Sequence, residues 1–120
     1  MGLSDAALSR DKRQHKRFKV PLEDLIGRLD DDQRVDIVDL SVGGIAIKSG
    51  FRLAVGREYL IRLNARKHSL EVRGTVLWSR IVGNKETPFG QRSPIYVSAM
   101  RLQEESEDRV TDFICDVLLV

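Results

Sequence analysis

Two arginines four residues apart, Arg13 and Arg17, sit inside the most basic segment of the chain. Between Arg10 and Arg17, five Lys or Arg side chains stand against one acid, Asp11, giving +4, whereas the whole chain of 120 residues carries +2. The remainder therefore sums to −2, so the positive charge is local. Charge concentrated in this way suits one specific anion better than a generally basic surface does. A guanidinium forks two parallel N–H bonds onto phosphate or onto the O6/N7 edge of guanine, and it can lie flat on a purine ring. On an extended chain, residues four apart share a side at roughly 13 Å, enough to hold the two ends of a dinucleotide-sized ligand. The alternative reading of such a run is a solvated N-terminal tail.

A second constellation follows about twenty residues later, Asp39-Leu40-Ser41-Val42-Gly43-Gly44. A carboxylate here could accept the N1–H and N2–H₂ donors of a guanine Watson–Crick edge. Ser41 would add a hydroxyl, and Gly44 would let the backbone come close to a ligand. A site that pairs buried donors rejects bases lacking them, because unmet polar groups are costly. The same hexapeptide also reads as turn chemistry, with side-chain oxygens bonding local backbone and glycine easing the bend.

The elements that must position these residues are mostly strands. Phe18, Val20 and Leu22 alternate into a first strand with Pro21 at an edge or bend, resuming through Leu25, Ile26 and Leu29. Asp30-Asp31-Asp32 turns the chain, and Arg34 to Leu40 is a β-branched, alternating second strand. Ile45–Ile47 begins a third strand and Tyr59–Leu63 forms a fourth, with a turn over Asn64 to Lys67. Ser69 to Trp78 is the longest alternating run, with Leu70, Val72, Gly74, Val76 and Trp78 on one side and a bulge or barrel bend expected at Gly74. Asn84 to Pro94 reads as a polar loop, and Ile95 to Leu102 as a last strand. Val110, Phe113, Ile114, Val117 and Leu118 then recur as one stripe of a helix, with Ser106 its expected N-cap. That stripe can close the mouth of a barrel or pack on a partner. Short, regularly spaced strands ending in one helix predict an all-β domain closed into a barrel.

Bulk properties exclude several classes. The length fits one domain, and no apolar run reaches the length of a membrane span. Cys115 cannot form an intramolecular disulfide and falls in an apolar helical pattern, so a buried, inert thiol in a reducing, cytoplasmic setting is expected. His15 and His68 stand apart with no metal-ligand cluster around either, Ser41 has no evident His base, and no phosphate-loop motif precedes a helix. The sequence reads as a non-enzyme that needs no cofactor or metal.

Arg13-x-x-x-Arg17 ahead of the first strand, joined to Asp39-x-Ser41-x-x-Gly44 after the second, resembles the PilZ domain, the bacterial receptor module for cyclic di-GMP. The similarity covers nearly the whole chain: basic leader, hairpin, strands, Val76-Leu77-Trp78-Ser79-Arg80 near the end of a long strand, and a closing helix. It implies a six-stranded antiparallel, split-barrel-like fold over residues 13–120, with a flexible leader over 1–12 and a helix at about 105–119. Arg13 and Arg17 would then grip phosphates and guanine edges, Asp39 and Ser41 would read a guanine, and Gly43 and Gly44 would shape the turn. Lys12 stands where relatives often carry a further arginine, supplying charge without a planar fork. Trp78 and Arg80 resemble a late-strand pair that adds stacking and a cation, with packing inside the barrel and a solvated strand end as their alternatives. One departure is the run Tyr96-Val97-Ser98-Ala99-Met100, where relatives commonly place a glycine before the aromatic.

The resemblance thus implies a cyclic di-GMP receptor that relays a second-messenger signal to a protein partner, in motility, biofilm or exopolysaccharide control. Two other readings stand beside it: a module of the same fold that only binds protein, and a small-barrel nucleic-acid binder. Nucleic acid is disfavoured because the charge outside the leader is nearly balanced and most of the seven aromatics sit where a core would want them.

Overall fold

A computed structural model describes residues 18–19, 25–30 and 33–118. Among these residues seven strands come in the order β1 Phe18–Lys19, β2 Ile26–Leu29, β3 Gln33–Leu40, β4 Gly44–Ser49, β5 Glu58–Ala65, β6 His68–Glu86 and β7 Arg92–Leu102. A 3₁₀ turn at Glu104–Ser106 leads into the helix α1, Glu107–Phe113, which continues as a π-helical turn over Ile114–Leu118. All strand pairings are antiparallel. β2 to β7 run in the order β2-β5-β6-β7-β4-β3, and β3 returns to β2, closing a barrel-like ring of six strands. The short β1 is added beside the end of β3.

Alternation builds this ring. Tyr59, Ile61, Leu63 and Ala65 on β5 are buried, as are Leu70, Val72 and Val76 on β6, while the residues between them face outward. Leu29, Val35, Ile37, Leu40, Ile45, Ile47 and Met100 complete an interior that is almost wholly apolar. The helical stripe closes one end from within the same chain: Val110, Phe113 and Ile114 belong to the core, and Arg109 donates from Nη1 to the Glu71 carbonyl at 2.6 Å.

Several expectations are corrected. The loop expected over Asn84–Pro94 is shorter, spanning only 87–91, because β6 runs to Glu86 and β7 starts at Arg92. β4 pairs with β7 only from Tyr96 onward, so Pro94 lies on a free edge where its missing N–H costs nothing. The turn after β5 is shorter than Asn64–Lys67, since β5 continues to Ala65. The bulge of β6 is not at Gly74: the register shifts between Val76 and Trp78, leaving Leu77 as the extra residue. Gly74 instead sits in tight packing, where a Cβ would meet the Ile61, Met100 and Leu102 side chains at 3.1–3.3 Å. Ser106 is the N-cap residue of α1, as expected, but its hydroxyl makes no capping bond and instead donates to the Gln103 carbonyl at 2.6 Å within the 3₁₀ turn. Cys115 is exposed, because the stripe of Val110, Phe113, Ile114 and Val117 leaves position 115 on the outer side. The division into a leader over 1–12 and a domain over 13–120 falls largely outside the described residues at its boundary.

Candidate functional site

Two bulges decide which side chains face outward. On β3, Ile37 pairs with Ile47 and the next pairing is Asp39 with Ala46, so Val38 is an extra residue. Strict alternation from Val35 and Ile37 would have turned Asp39 into the core and Leu40 out of it. The bulge reverses this, and Leu40 is fully buried while Asp39 is half-buried. On β6 the extra Leu77 does the same, turning Trp78 away from the side occupied by Val72, Gly74 and Val76.

The consequence is one continuous row across four strands. Asp39 on β3 stands opposite Ala46 on β4, Ala46 opposite Ala99 on β7, and Ala99 opposite Trp78 on β6. The adjacent row, Leu40–Ile45–Met100–Val76, is buried throughout and defines the inward face, so the Asp39–Trp78 row lies on the outer face. Both alanines are nonetheless buried. They form a floor of two methyl groups between a carboxylate and an indole.

Cations border this floor. Arg80 places its guanidinium carbon 4.4 Å from the Trp78 ring centroid, while Ser79 between them turns inward and accepts a 2.8 Å hydrogen bond from the buried Ser98 hydroxyl. On the other side runs the row Gly44–Arg101–Thr75, whose Arg101 is exposed and has no side-chain partner among the described residues. Arg101 and the alanine floor escaped the sequence reading. Their signal was present in the alternation of β7, where Val97, Ala99 and Arg101 share a face opposite buried Ser98 and Met100.

The turn after β3 is stapled at one carbonyl. The Ser41 backbone N–H donates to the Gly44 carbonyl at 2.8 Å and the buried Ser41 hydroxyl donates to the same oxygen at 3.3 Å. The Gly43 carbonyl accepts from the Leu102 N–H at 3.0 Å. A Cβ on Gly44 would lie 3.2 Å from the Met100 carbonyl oxygen, so glycine eases the close approach of β4 to β7. Ser41, Gly43 and Gly44 therefore build the corner that Asp39 enters, and Asp39 itself lies within β3, not after it.

Arg13, Arg17 and Lys12 lie outside the described residues. The register of β1 is described: Lys19 stands opposite Asp39, and Phe18 opposite Leu40. The sequence expectation that most aromatics fill the core is corrected. Among the described residues Tyr59 and Phe113 are buried and Phe51 packs partly buried against the core, whereas Phe89 is 90% exposed at the β6–β7 tip, and Trp78 and Tyr96 point to opposite faces. They form no continuous stacking platform. No group of His, Cys, Asp and Glu suited to a metal is found among the described residues, nor any helix long and apolar enough to cross a membrane.

The family model described as "PilZ domain" matches residues 11–114. The fold is shared with the PilZ domain of YcgR from Escherichia coli, a structure with c-di-GMP, at a TM-score of 0.68 and 14% identity over 89% of this chain and 92% of that one. It is shared with MrkH of K. pneumonia, solved as a c-di-GMP complex, at a TM-score of 0.66 and 17% identity over 91% of this chain and 53% of that one. A further likeness, at a TM-score of 0.58 and 14% identity, is to the Bacillus subtilis inhibitor of motility MotI, over 86% of this chain and 49% of that one. This chain thus spans about half the length of MrkH and of MotI. No curated protein is significantly similar to it in sequence.

Proposed function

The chain belongs to the PilZ domain family, and from that premise we propose that it is a receptor for cyclic di-GMP that takes its ligand on the outer face of β3, β4, β7 and β6. The observation that carries this reading is the row Asp39–Ala46–Ala99–Trp78. Three strand spacings make it about 14 Å long, a fit to a flat ligand with a base at each end. Asp39 accepts the N1–H and N2–H₂ of one guanine, which selects guanine over adenine. The Trp78–Arg80 stack receives the other base. The methyl floor lets the ligand lie close to the sheet, and Arg101 neutralises phosphate from one side.

The leader supplies the remaining cations. Phe18 is registered against Leu40, and Arg17 is the next residue along the chain, so the basic segment joins the fold beside the Asp39 corner. In this reading Arg13 and Arg17, with Lys12, close over the phosphates and guanine edges. For the ligand to drive this closure, the segment's contacts must be stronger in the liganded state than without ligand. The surface that a downstream protein meets changes with that closure. No catalytic step is assigned, and the chain acts in the cytoplasm as a signal reader, its output set by the partner. MrkH is described as a c-di-GMP-dependent transcription regulatory factor and MotI as an inhibitor of motility, so one fold serves different outputs.

Titration calorimetry with cyclic di-GMP, GTP and cyclic di-AMP side by side tests the reading. The expected result is guanine-specific binding of the cyclic dinucleotide that Arg17→Ala and Asp39→Ala each largely abolish. Unchanged affinity in both variants rejects the assignment.

A further inference from the structure

The outer face does not end at the Asp39–Trp78 row. Farther along the same strands it opens into a cleft of about 520 Å³ between β3, β4 and the distal part of the β6–β7 hairpin. Small-molecule sites occupy roughly 300–1,000 Å³. Three cations line this cleft, each from a different strand: Arg34 on β3, Lys48 on β4 and Lys85 on β6. None of these three side chains has a hydrogen bond or ion pair among the described residues. Asp36 is the one carboxylate in the lining, and although it stands opposite Lys48 in the β3–β4 register it forms no ion pair with it.

Like charges converging on a cavity repel one another, and the usual relief is a neighbouring carboxylate for each. Here one carboxylate serves three cations, so the cleft holds a local excess of positive charge. The chain outside the leader is net negative, which makes this excess a property of the place and not of the whole surface. Pro94 and Ile95 on β7 add an apolar wall, a surface suited to the body of a ring more than to further charge. Asp36 adds one acceptor for an N–H or O–H group. A compact anion with a flat apolar portion matches all three features.

We propose that this cleft is a second anion site, separate from the Asp39–Trp78 row, which binds the phosphate groups of a nucleotide through Arg34, Lys48 and Lys85. Lys48 and Ala46 are same-face neighbours on β4, about 7 Å apart, so an occupant changes the charge directly beside the first site. The inference does not depend on the first site's ligand.

The test uses the ¹⁵N-labelled full chain at constant ionic strength, titrated separately with inorganic pyrophosphate and with GDP and followed by amide shifts. The expected shifts centre on Arg34, Lys48, Gly50 and Lys85. A Lys48→Ala/Lys85→Ala double variant, altered only at exposed positions, should bind both probes at least about tenfold more weakly. Asp39→Ala, which removes cyclic di-GMP if the first reading is right, should leave both probes' affinities intact, so the two readings fail separately. Tighter binding of GDP than of pyrophosphate identifies a nucleoside body against Pro94 and Ile95, and equal affinity identifies a bare phosphate chain; either supports the site. Shifts centred on Asp39, Ser41 and Trp78, or equal affinities in the double variant and the parent, overturn it.

Discussion

Arg80 stacks on Trp78 with its guanidinium carbon 4.4 Å from the ring centroid, on the outer face of β6. Such a pair offers a purine two flat surfaces, one cationic and one aromatic. Trp78 is the chain's only tryptophan, so its emission reports this site alone. Saturating cyclic di-GMP should change that emission. Trp78→Ala should weaken binding by about 1–3 kcal/mol, the usual worth of one stacked base. Emission that stays constant while calorimetry shows saturation would take the ring out of the site.

Asp39→Asn keeps the shape of the side chain and replaces one acceptor by a donor. Toward guanine, the new amide N–H faces another N–H, and a charge-assisted pairing is lost. Affinity should fall by about 1.5–3 kcal/mol, and the preference for cyclic di-GMP over cyclic di-AMP should narrow. Competition between the two dinucleotides measures this directly. Equal discrimination in parent and variant means that the carboxylate does not read the base.

Ala99 lies between Trp78 and Ala46 in the cross-strand row, on the face away from the core. Ala99→Leu should therefore stand a branched side chain in the middle of the ligand's floor while leaving the inward row of Leu40, Ile45, Met100 and Val76 as it is. Loss of cyclic di-GMP binding by more than about a hundredfold, equivalent to about 2.8 kcal/mol, is expected with little change in melting temperature. A variant that binds as the parent does would place the ligand elsewhere.

Much of this was legible in the residues themselves, and the part that was not has a common cause. The run Val35-x-Ile37 and the run Val72-x-Gly74-x-Val76 declare their strands through period-two burial, and the closing stripe of α1 declares its helix. Alternation carried one residue too far gives the wrong face to Asp39 and Trp78, because Val38 and Leu77 are each an unpaired extra residue. A bulge is set by the partner strand, so its position depends on Ala46 and Ala99, which are distant in sequence. The same non-locality hid the β6–β7 arm, where prolines and glycines are tolerated because β4 ends at Ser49 and leaves β7 with one neighbour. Motif spelling located Asp39, Ser41 and Gly44. It left ligand and turn duties side by side, and the structure adds that Ser41 bonds the Gly44 carbonyl within the turn while the β3 bulge turns Asp39 to the outer face.

Gly44→Ala separates those two duties. The added methyl would sit 3.2 Å from the Met100 carbonyl oxygen and 3.7 Å from the Ser41 hydroxyl. The carbonyl is backbone in a paired strand and cannot swing aside as a side-chain tip would, since Ile45 stands opposite Met100 and Gly44 opposite Arg101. Relief must come from a small parting of β4 from β7, at a cost on the order of 1–3 kcal/mol. Thermal unfolding should therefore show a melting temperature lowered by several degrees without ligand. Because Asp39 stays on β3, the variant should still bind cyclic di-GMP, and added ligand should raise its melting temperature as it does the parent's. A variant as stable as the parent that no longer binds would mean that the glycine serves the ligand and not the approach of the two strands.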